Sequence, residues 1–237
     1  MKHKKLSIII PCLNEADNIV STLTPLQSLR QRGHEIILSD GGSSDNTIQL
    51  SKNRVDLCIN SAPGRAVQMN TGAKAATGDV LCFLHADTIA VDDIDKKILS
   101  AFTQSDKHSG FKWGFFNVAL DGSSWQFRII ERLINMRSCI TSIATGDQGI
   151  FISHDTFDAL GGFSDTPLME DIELTKRLKK ISNPFCIKNT PLITSSRRWE
   201  KHGIVSTVLL MWQLRLRYFL GTPASKLAKL YKTHATK

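Results

Sequence analysis

Three short apolar runs, each closed by a polar cluster, constrain this chain more than any other feature. They are LSIIIP from Leu6, EIILSD from Glu35 and VLCFLHAD from Val80. Such β-branched runs with abrupt polar ends read as buried strands. Between them the period changes. From Glu15 to Arg32 the spacing of Ile19, Leu23, Leu26 and Leu29 predicts an amphipathic helix, with Asn14 as its N-cap. A helix is expected from Thr47 to about Asn53, a short strand near VDLCIN, and a helix over Arg65 to Thr77. Strand, helix and strand joined by short connections predict an α/β fold, with a Rossmann-like, mostly parallel sheet and helices on both faces. Sheets of this kind bind ligands beyond the carboxyl ends of their strands.

The second half is less regular. Phe111 to Leu120 predicts one or two strands, Trp125 to Arg137 a helix, and GIFISH a strand followed by a turn at Gly161 and Gly162. A helix from Glu170 to Lys180 precedes a final strand near Ile193. Beyond Gly203 runs IVSTVLLMWQLRLRYFL, interrupted by Arg215 and Arg217. Those charges argue against a bilayer span. The stretch is expected either to lie at a membrane interface or to pack on the domain. Residues 1–203 are expected to form the main domain, and 204–237 a basic, amphipathic helical extension.

Charge and cysteine content narrow the setting. The formal charge is +8, with 30 Lys and Arg against 22 Asp and Glu, and much of the excess lies in Lys2–Lys5 and Lys226–Lys237. Cations gathered at the two ends favour a membrane surface or solvated tails over a nucleic-acid groove, so no nucleic-acid partner is expected. Cys12, Cys58, Cys82, Cys139 and Cys186 are odd in number and show no CxxC spacing. Neither a disulfide framework nor a zinc site is indicated, and a reducing, cytoplasmic setting is expected. The apolar run at Leu6–Ile10 is too short for a signal peptide.

Polar clusters sit where a site in this topology would be built. Pro11, Asn14 and Glu15 follow the first strand, and serve equally as a strand end and helix cap. Asp40 precedes the turn GGSSDNT, where a carboxylate can accept bonds from a base or ribose hydroxyl. Gly64 and Arg65 open a helix and suit a phosphate, although a solvated Arg explains them as well. His85 and Asp87 stand at i and i+2 of an extended segment, so both can face one divalent cation, manganese or magnesium. Glu170–Asp171 opens a helix. Carboxylates are favoured there by the dipole alone, yet one of them is also the simplest general base. Arg197, Arg198 and Trp199 join two fork-shaped cations to an aromatic, which suits a diphosphate and a sugar face; an exposed basic turn is the plainer alternative.

The order of these clusters resembles family 2 glycosyltransferases, which have the GT-A fold. The likeness runs from Leu6 to about Gly203 through SIIIPCLNEADNI, SDGGSSDNT, GRAVQMNTGAKAATGDVLCFLHADT, GGF, MEDIEL and SSRRW. GDQGIF, MEDIEL and SSRRW together further look like the arsenosugar-biosynthesis subgroup of those enzymes. The resemblance implies a nucleotide pocket at Pro11, Asn14, Glu15 and Asp40, closed over by Gly64, Arg65 and Asn70. It implies that Asp87 holds the metal, Asp171 is the catalytic base beside Glu170, and Arg198 with Trp199 lies near the diphosphate and acceptor. His85 departs from the usual first Asp of DxD, and Ser195 from the Gln of QxxRW. The expected activity is inverting transfer of one sugar from a nucleotide-diphosphate sugar to a hydroxyl acceptor, lipid-linked if the C-terminal stretch meets a membrane. A sugar-phosphate nucleotidyltransferase and a non-catalytic sugar-nucleotide binder or membrane scaffold are the rivals. The first usually carries a basic Gly-rich loop where this chain has PCLNEADN; the second has no need of Asp171.

Overall fold

A computed structural model of the protein describes residues 4–108 and 112–235. Phe111 of the expected strand, and residues 1–3 and 236–237 of the two basic ends, lie outside the described residues. In the first half, β1 (Leu6–Cys12) is followed by α1 (Ile19–Leu23), α2 (Gln27–Gln31), β2 (Glu35–Asp40), α3 (Thr47–Ser51), β3 (Leu57–Asn60) and α4 (Arg65–Ala75). Then come β4 (Val80–Phe83), β5 (Thr88–Ile89), α5 (Ile94–His108), β6 (Trp113–Leu120), α6 (Trp125–Thr141) and β7 (Ile150–Ser153). The chain continues through α7 (His154–Ala159), α8 (Glu170–Leu178), β8 (Phe185–Thr194), α9 (Arg197–His202), α10 (Ile204–Phe219) and α11 (Ala224–Ala235).

The strands form one eight-stranded sheet in the order β3-β2-β1-β4-β7-β6-β8-β5. The β3-β2-β1-β4 half is wholly parallel, and β6 pairs parallel with β8. β7 runs antiparallel to both β4 and β6, and β5 antiparallel to β8. Side chains alternate across a strand, and the core obeys that rule. Leu6, Ile8 and Ile10 of β1 pack with Ile19, Leu23, Leu29 and Ile94 on one face of the sheet. Ile9, between them, packs on the other with Met69 and Ala73 of α4 and Leu174 and Leu178 of α8. Both faces are therefore covered, as a largely parallel sheet requires.

Two local expectations are corrected. The helix foreseen from Glu15 to Arg32 is two short helices, α1 and α2, with Pro25 between them. Proline lacks the N–H that a helix interior needs at its position, so the ladder of α1 stops there. The apolar spacing survives the break, since Ile19, Leu23, Leu26 and Leu29 are all fully buried. Asn14 does not cap this segment; Asn18 holds that position, and Asn14 has φ +55°. The five cysteines are free, although the sulfurs of Cys139 and Cys186 lie 2.6 Å apart and join α6 to β8.

Candidate active site

Strand direction decides what meets what. β7 is antiparallel to β4 with Phe83 opposite Ile150, so the turn at Gly146–Gln148 that feeds β7 lies beside His85 at the end of β4. β6 and β8 end on the same side. The pairing of Thr88 with Thr194 then brings Asp87, just before β5, to Arg197, just after β8.

A polar row follows from this arrangement. Asp40 is buried, and its carboxylate accepts bonds from the N–H groups of Gly42 and Ser43, both at 2.9 Å, and from Ser43 Oγ at 2.5 Å. Burial works to raise its pKa, but these bonds, with one from Cys12, outweigh it and hold the group below the usual carboxylate range. Ser43 Oγ also accepts the N–H of Asn14 at 2.9 Å, while Asn14 Oδ1 accepts the N–H of Ser44 at 2.8 Å. Next along the row, Glu15 lies 3.7 Å from Arg197, which lies 3.9 Å from Asp87. His85 Nδ1 stands 3.8 Å from Asp147. Its Nε2 is buried without a partner and abuts Gly146, where an added Cβ would lie 2.3 Å away. Burial, helped by Arg65, pushes the imidazole pKa down to about 3 against the pull of Asp87, so the ring is neutral.

At the far end of the row stands Asp171, in the first turn of α8. Its Oδ2 accepts the N–H of Gly146 at 2.8 Å and its Oδ1 the N–H of Ile172 at 2.7 Å. Burial, the neighbouring Glu170 and Asp147 raise its pKa to about 7 in spite of those two bonds. A carboxyl poised there exchanges a proton readily near neutrality. Met169, which precedes the helix, has φ +67°, and the turn it makes leads into Glu170 and Asp171, both of which line the pocket.

That pocket, of about 420 Å³, is walled by α6, α8, α10 and the Thr145–Asp147 segment. Arg65, Arg137, Glu170, Asp171, Trp199 and Tyr231 are among its lining residues. Arg198 stacks on the Tyr231 ring, its carbon 3.7 Å from the ring centre, and donates to the Tyr231 hydroxyl. Its Nε and Nη2 are buried without partners, as is Nε of Arg137. Arg137 lines the pocket and Arg198 adjoins it through Tyr231. Buried donors are normally paired, so these guanidinium nitrogens point to an anionic or oxygen-rich ligand.

The row and the pocket thus gather Asn14, Glu15, Asp40, His85, Asp87, Glu170, Asp171, Arg197, Arg198, Trp199 and Arg65, which Gly64 introduces at the start of α4. Two expected residues are engaged elsewhere. Pro11 is buried within β1 opposite Ser39, and Asn70 clasps the backbone of Phe163, donating to its carbonyl at 2.8 Å and accepting its N–H at 2.9 Å. Arg137, Asp147 and Tyr231 line the pocket without having been singled out in the sequence, and Arg215, read only as a charge that interrupts the C-terminal stretch, lines it too. Asp147 lies within the GDQGIF string. The others carry no local signal, being a cation or a tyrosine in an ordinary helical stretch.

Residues 7–157 match the profile of Glycosyl transferase family 2. The chain belongs to that family. Among family 2 relatives, the poly-beta-1,6-N-acetyl-D-glucosamine synthase of Staphylococcus aureus (strain MSSA476) is 31% identical over 218 residues, covering 90% of this chain and 46% of the relative. The chain therefore spans about half the length of that relative. Staphylococcus aureus TarS in complex with UDP-GlcNAc matches 81% of this chain and 58% of its own, with a TM-score of 0.61 and 18% identity. The mannosyltransferase PcManGT of Pyrobaculum calidifontis, solved with GDP-Man and Mn²⁺, matches 81% of this chain and 56% of its own, with a TM-score of 0.58 and 18% identity. The fold is GT-A, as in these solved structures.

Proposed function

We propose that the protein transfers a single sugar, with inversion, from a nucleoside-diphosphate sugar to an acceptor hydroxyl, with Asp171 as general base. The observation that carries this reading is a carboxylate whose pKa is raised to about 7 in the same pocket wall as the buried, unpartnered Nε of Arg137, with two more unpartnered guanidinium nitrogens on Arg198, which is bound to Tyr231 of that wall. Asp171 takes the proton of the attacking hydroxyl while the nucleotide departs from the opposite face. Arg198, with Arg65 and Arg197 nearby, offsets the charge that grows on the leaving diphosphate. Structures of TarS with UDP-GlcNAc and of PcManGT with GDP-Man support the donor class. Ser195, in place of the Gln of QxxRW, favours single transfer over polymer synthesis.

A divalent ion, Mn²⁺ or Mg²⁺, fits this site in a restricted way. Among the described residues no three His, Cys, Asp or Glu side chains gather as a metal cluster. Asp87 can supply one carboxylate, and the donor's phosphates the remaining oxygens, as hard cations accept. His85 is a poorer candidate, because its unpartnered Nε2 is turned onto Gly146. When bound, such an ion would neutralise diphosphate charge.

Asp147, Asp171 and Trp199, which lie in the strings GDQGIF, MEDIEL and SSRRW that resemble the arsenosugar-biosynthesis subgroup, stand in the pocket wall, so that finer resemblance would bear on the acceptor. A cytoplasmic setting, peripheral to a membrane, belongs to the same proposal and is supported by the free cysteines and the basic C-terminal helices. A thermal-shift and hydrolysis screen of UDP-, GDP- and dTDP-sugars, with and without Mn²⁺, tests the reading. We expect one base to stabilise the protein and its hydrolysis to depend on Asp171. Binding with Asp171-independent turnover would leave only a sugar-nucleotide binder.

A further inference from the structure

Two helices that wall the pocket expose apolar residues on their outer faces. On α6 these are Trp125, Ile129, Leu133, Met136 and Ile140. The intervals of three and four place them on a single side of the helix. On α10, Val205, Leu209, Trp212, Leu216 and Phe219 repeat the pattern. The inner sides of both helices meet in one small core, where Phe127 and Ile130 pack with Ile204 and Val208. The outer rows come together at the pocket, which Leu133 and Met136 of one and Trp212 of the other line.

Leu133, Met136 and Trp212 belong both to these outer rows and to the pocket wall. The exposed face thus runs without interruption into the pocket. Inside, Ile130, Ile134, Val208 and Met211 keep the wall apolar as far as Arg137 and Asp171. A polar sugar nucleotide placed along that wall would leave its hydroxyls unpaired. An aliphatic stem would not.

Charge indicates what covers the face. From Lys201 to Lys237 the sequence holds seven Lys and Arg and no Asp or Glu. Arg132 on α6 and Lys201, Arg217 and Lys226 around α10 are exposed. In a two-fold dimer closed through this face the same cations would meet each other. An anionic bilayer instead attracts them, and their contributions add near its surface. Among the described residues no helix is long and apolar enough to cross a membrane, so the geometry is that of a helix pair lying in the interface.

We propose that α6 and α10 rest on an anionic bilayer and that the acceptor is an amphiphile, an alcohol on an apolar stem, which enters the pocket between them from that bilayer. This deepens the glycosyl-transfer reading and rests on it for the role of Asp171.

The full chain is tested by flotation with vesicles of phosphatidylcholine containing phosphatidylglycerol, and with phosphatidylcholine alone. The wild type is expected to float at least roughly tenfold better with the anionic vesicles, since several cations act together. Leu209→Glu with Leu216→Glu, and separately Ile129→Glu with Ile140→Glu, change outward residues that do not line the pocket. Both pairs should abolish flotation while donor hydrolysis stays at the wild-type rate. In a second arm, 1-decanol in detergent micelles should accelerate nucleoside-diphosphate release, and glycerol should not. Flotation equal on neutral vesicles, or a stable dimer in light scattering that the Glu variants dissociate, overturns the bilayer. Equal stimulation by glycerol overturns the amphiphile. Loss of donor turnover in every arm, with anionic flotation intact, removes the glycosyl-transfer reading and with it the acceptor, but leaves the membrane face standing.

Discussion

The backbone N–H of Gly146 donates to Asp171 Oδ2 at 2.8 Å, so the turn before β7 orients the carboxylate that opens α8. The two groups are 25 residues apart in the chain. One oxygen is held by the turn and the other by Ile172, which restricts how the carboxylate can approach an incoming hydroxyl. Asp171→Asn keeps the shape and removes the basicity. We expect turnover to fall by about 10²- to 10⁴-fold with donor affinity nearly unchanged. Steady-state rates and nucleotide titration on the purified variant measure both, and near-normal turnover would remove Asp171 from the chemistry.

The raised pKa of Asp171 sets the direction of pH dependence. A general base works deprotonated, so kcat/KM should rise with pH along a limb whose midpoint is about 7. Glu170 and Asp147 push that midpoint up, while Arg65 and Arg137 face the same pocket as cations. Asp147→Asn removes one negative neighbour and should move the limb to lower pH. A profile that is flat across neutrality, or that shifts upward in this variant, contradicts the assignment.

Arg198 presents two unpartnered nitrogens while Tyr231 carries its third contact. Hydrogen bonds to a charged partner contribute about 1.5–3 kcal/mol each. Arg198→Ala is therefore expected to weaken UDP or GDP binding by roughly tenfold or more, and Arg198→Lys to restore only part, since the fork is lost. Tyr231→Phe, which keeps the ring, should have a smaller effect. Calorimetric titration reads all three.

Gly114 lies in β6 where neighbouring strands leave no room. A Cβ there would stand 2.3 Å from the carbonyl oxygen of Phe185 and 2.4 Å from the Phe151 ring. Backbone in the middle of a sheet cannot retreat cheaply. Gly114→Ala should cost about 1–3 kcal/mol, as other overpacked cores do, and urea unfolding checks it. An unchanged midpoint would mean that β6 and β8 separate more easily than their register implies.

Much of the fold could be read from local pattern. β2 falls on Glu35–Asp40 as its apolar run predicts, and α4 begins at Arg65 directly after Gly64. The division of Glu15–Arg32 by Pro25 had a signal in plain view, which the strong apolar period overrode. α5 did carry a helical period in Ile94, Ile98, Ala101 and Phe102, all of them buried, whereas the two-residue β5 is too short to show one. The expected segment near Ile193 became the ten-residue β8, whose exposed positions hide its length from an apolar count.

Which runs become strands, where helices start and which residues cap or break them depend on neighbours within a few positions, and the amino-acid order determined those. The reversed direction of β7, the meeting of Asp87 with Arg197 and the closure of Tyr231 over Arg198 were decided only in three dimensions. They depend on pairings between segments far apart in the chain, chosen by burial of the whole sheet, and no local window contains them. For the same reason Asn70 could be read as a ligand contact yet serve the backbone of Phe163. A side chain's chemistry is written in its type, but its partner is settled by the packing around it.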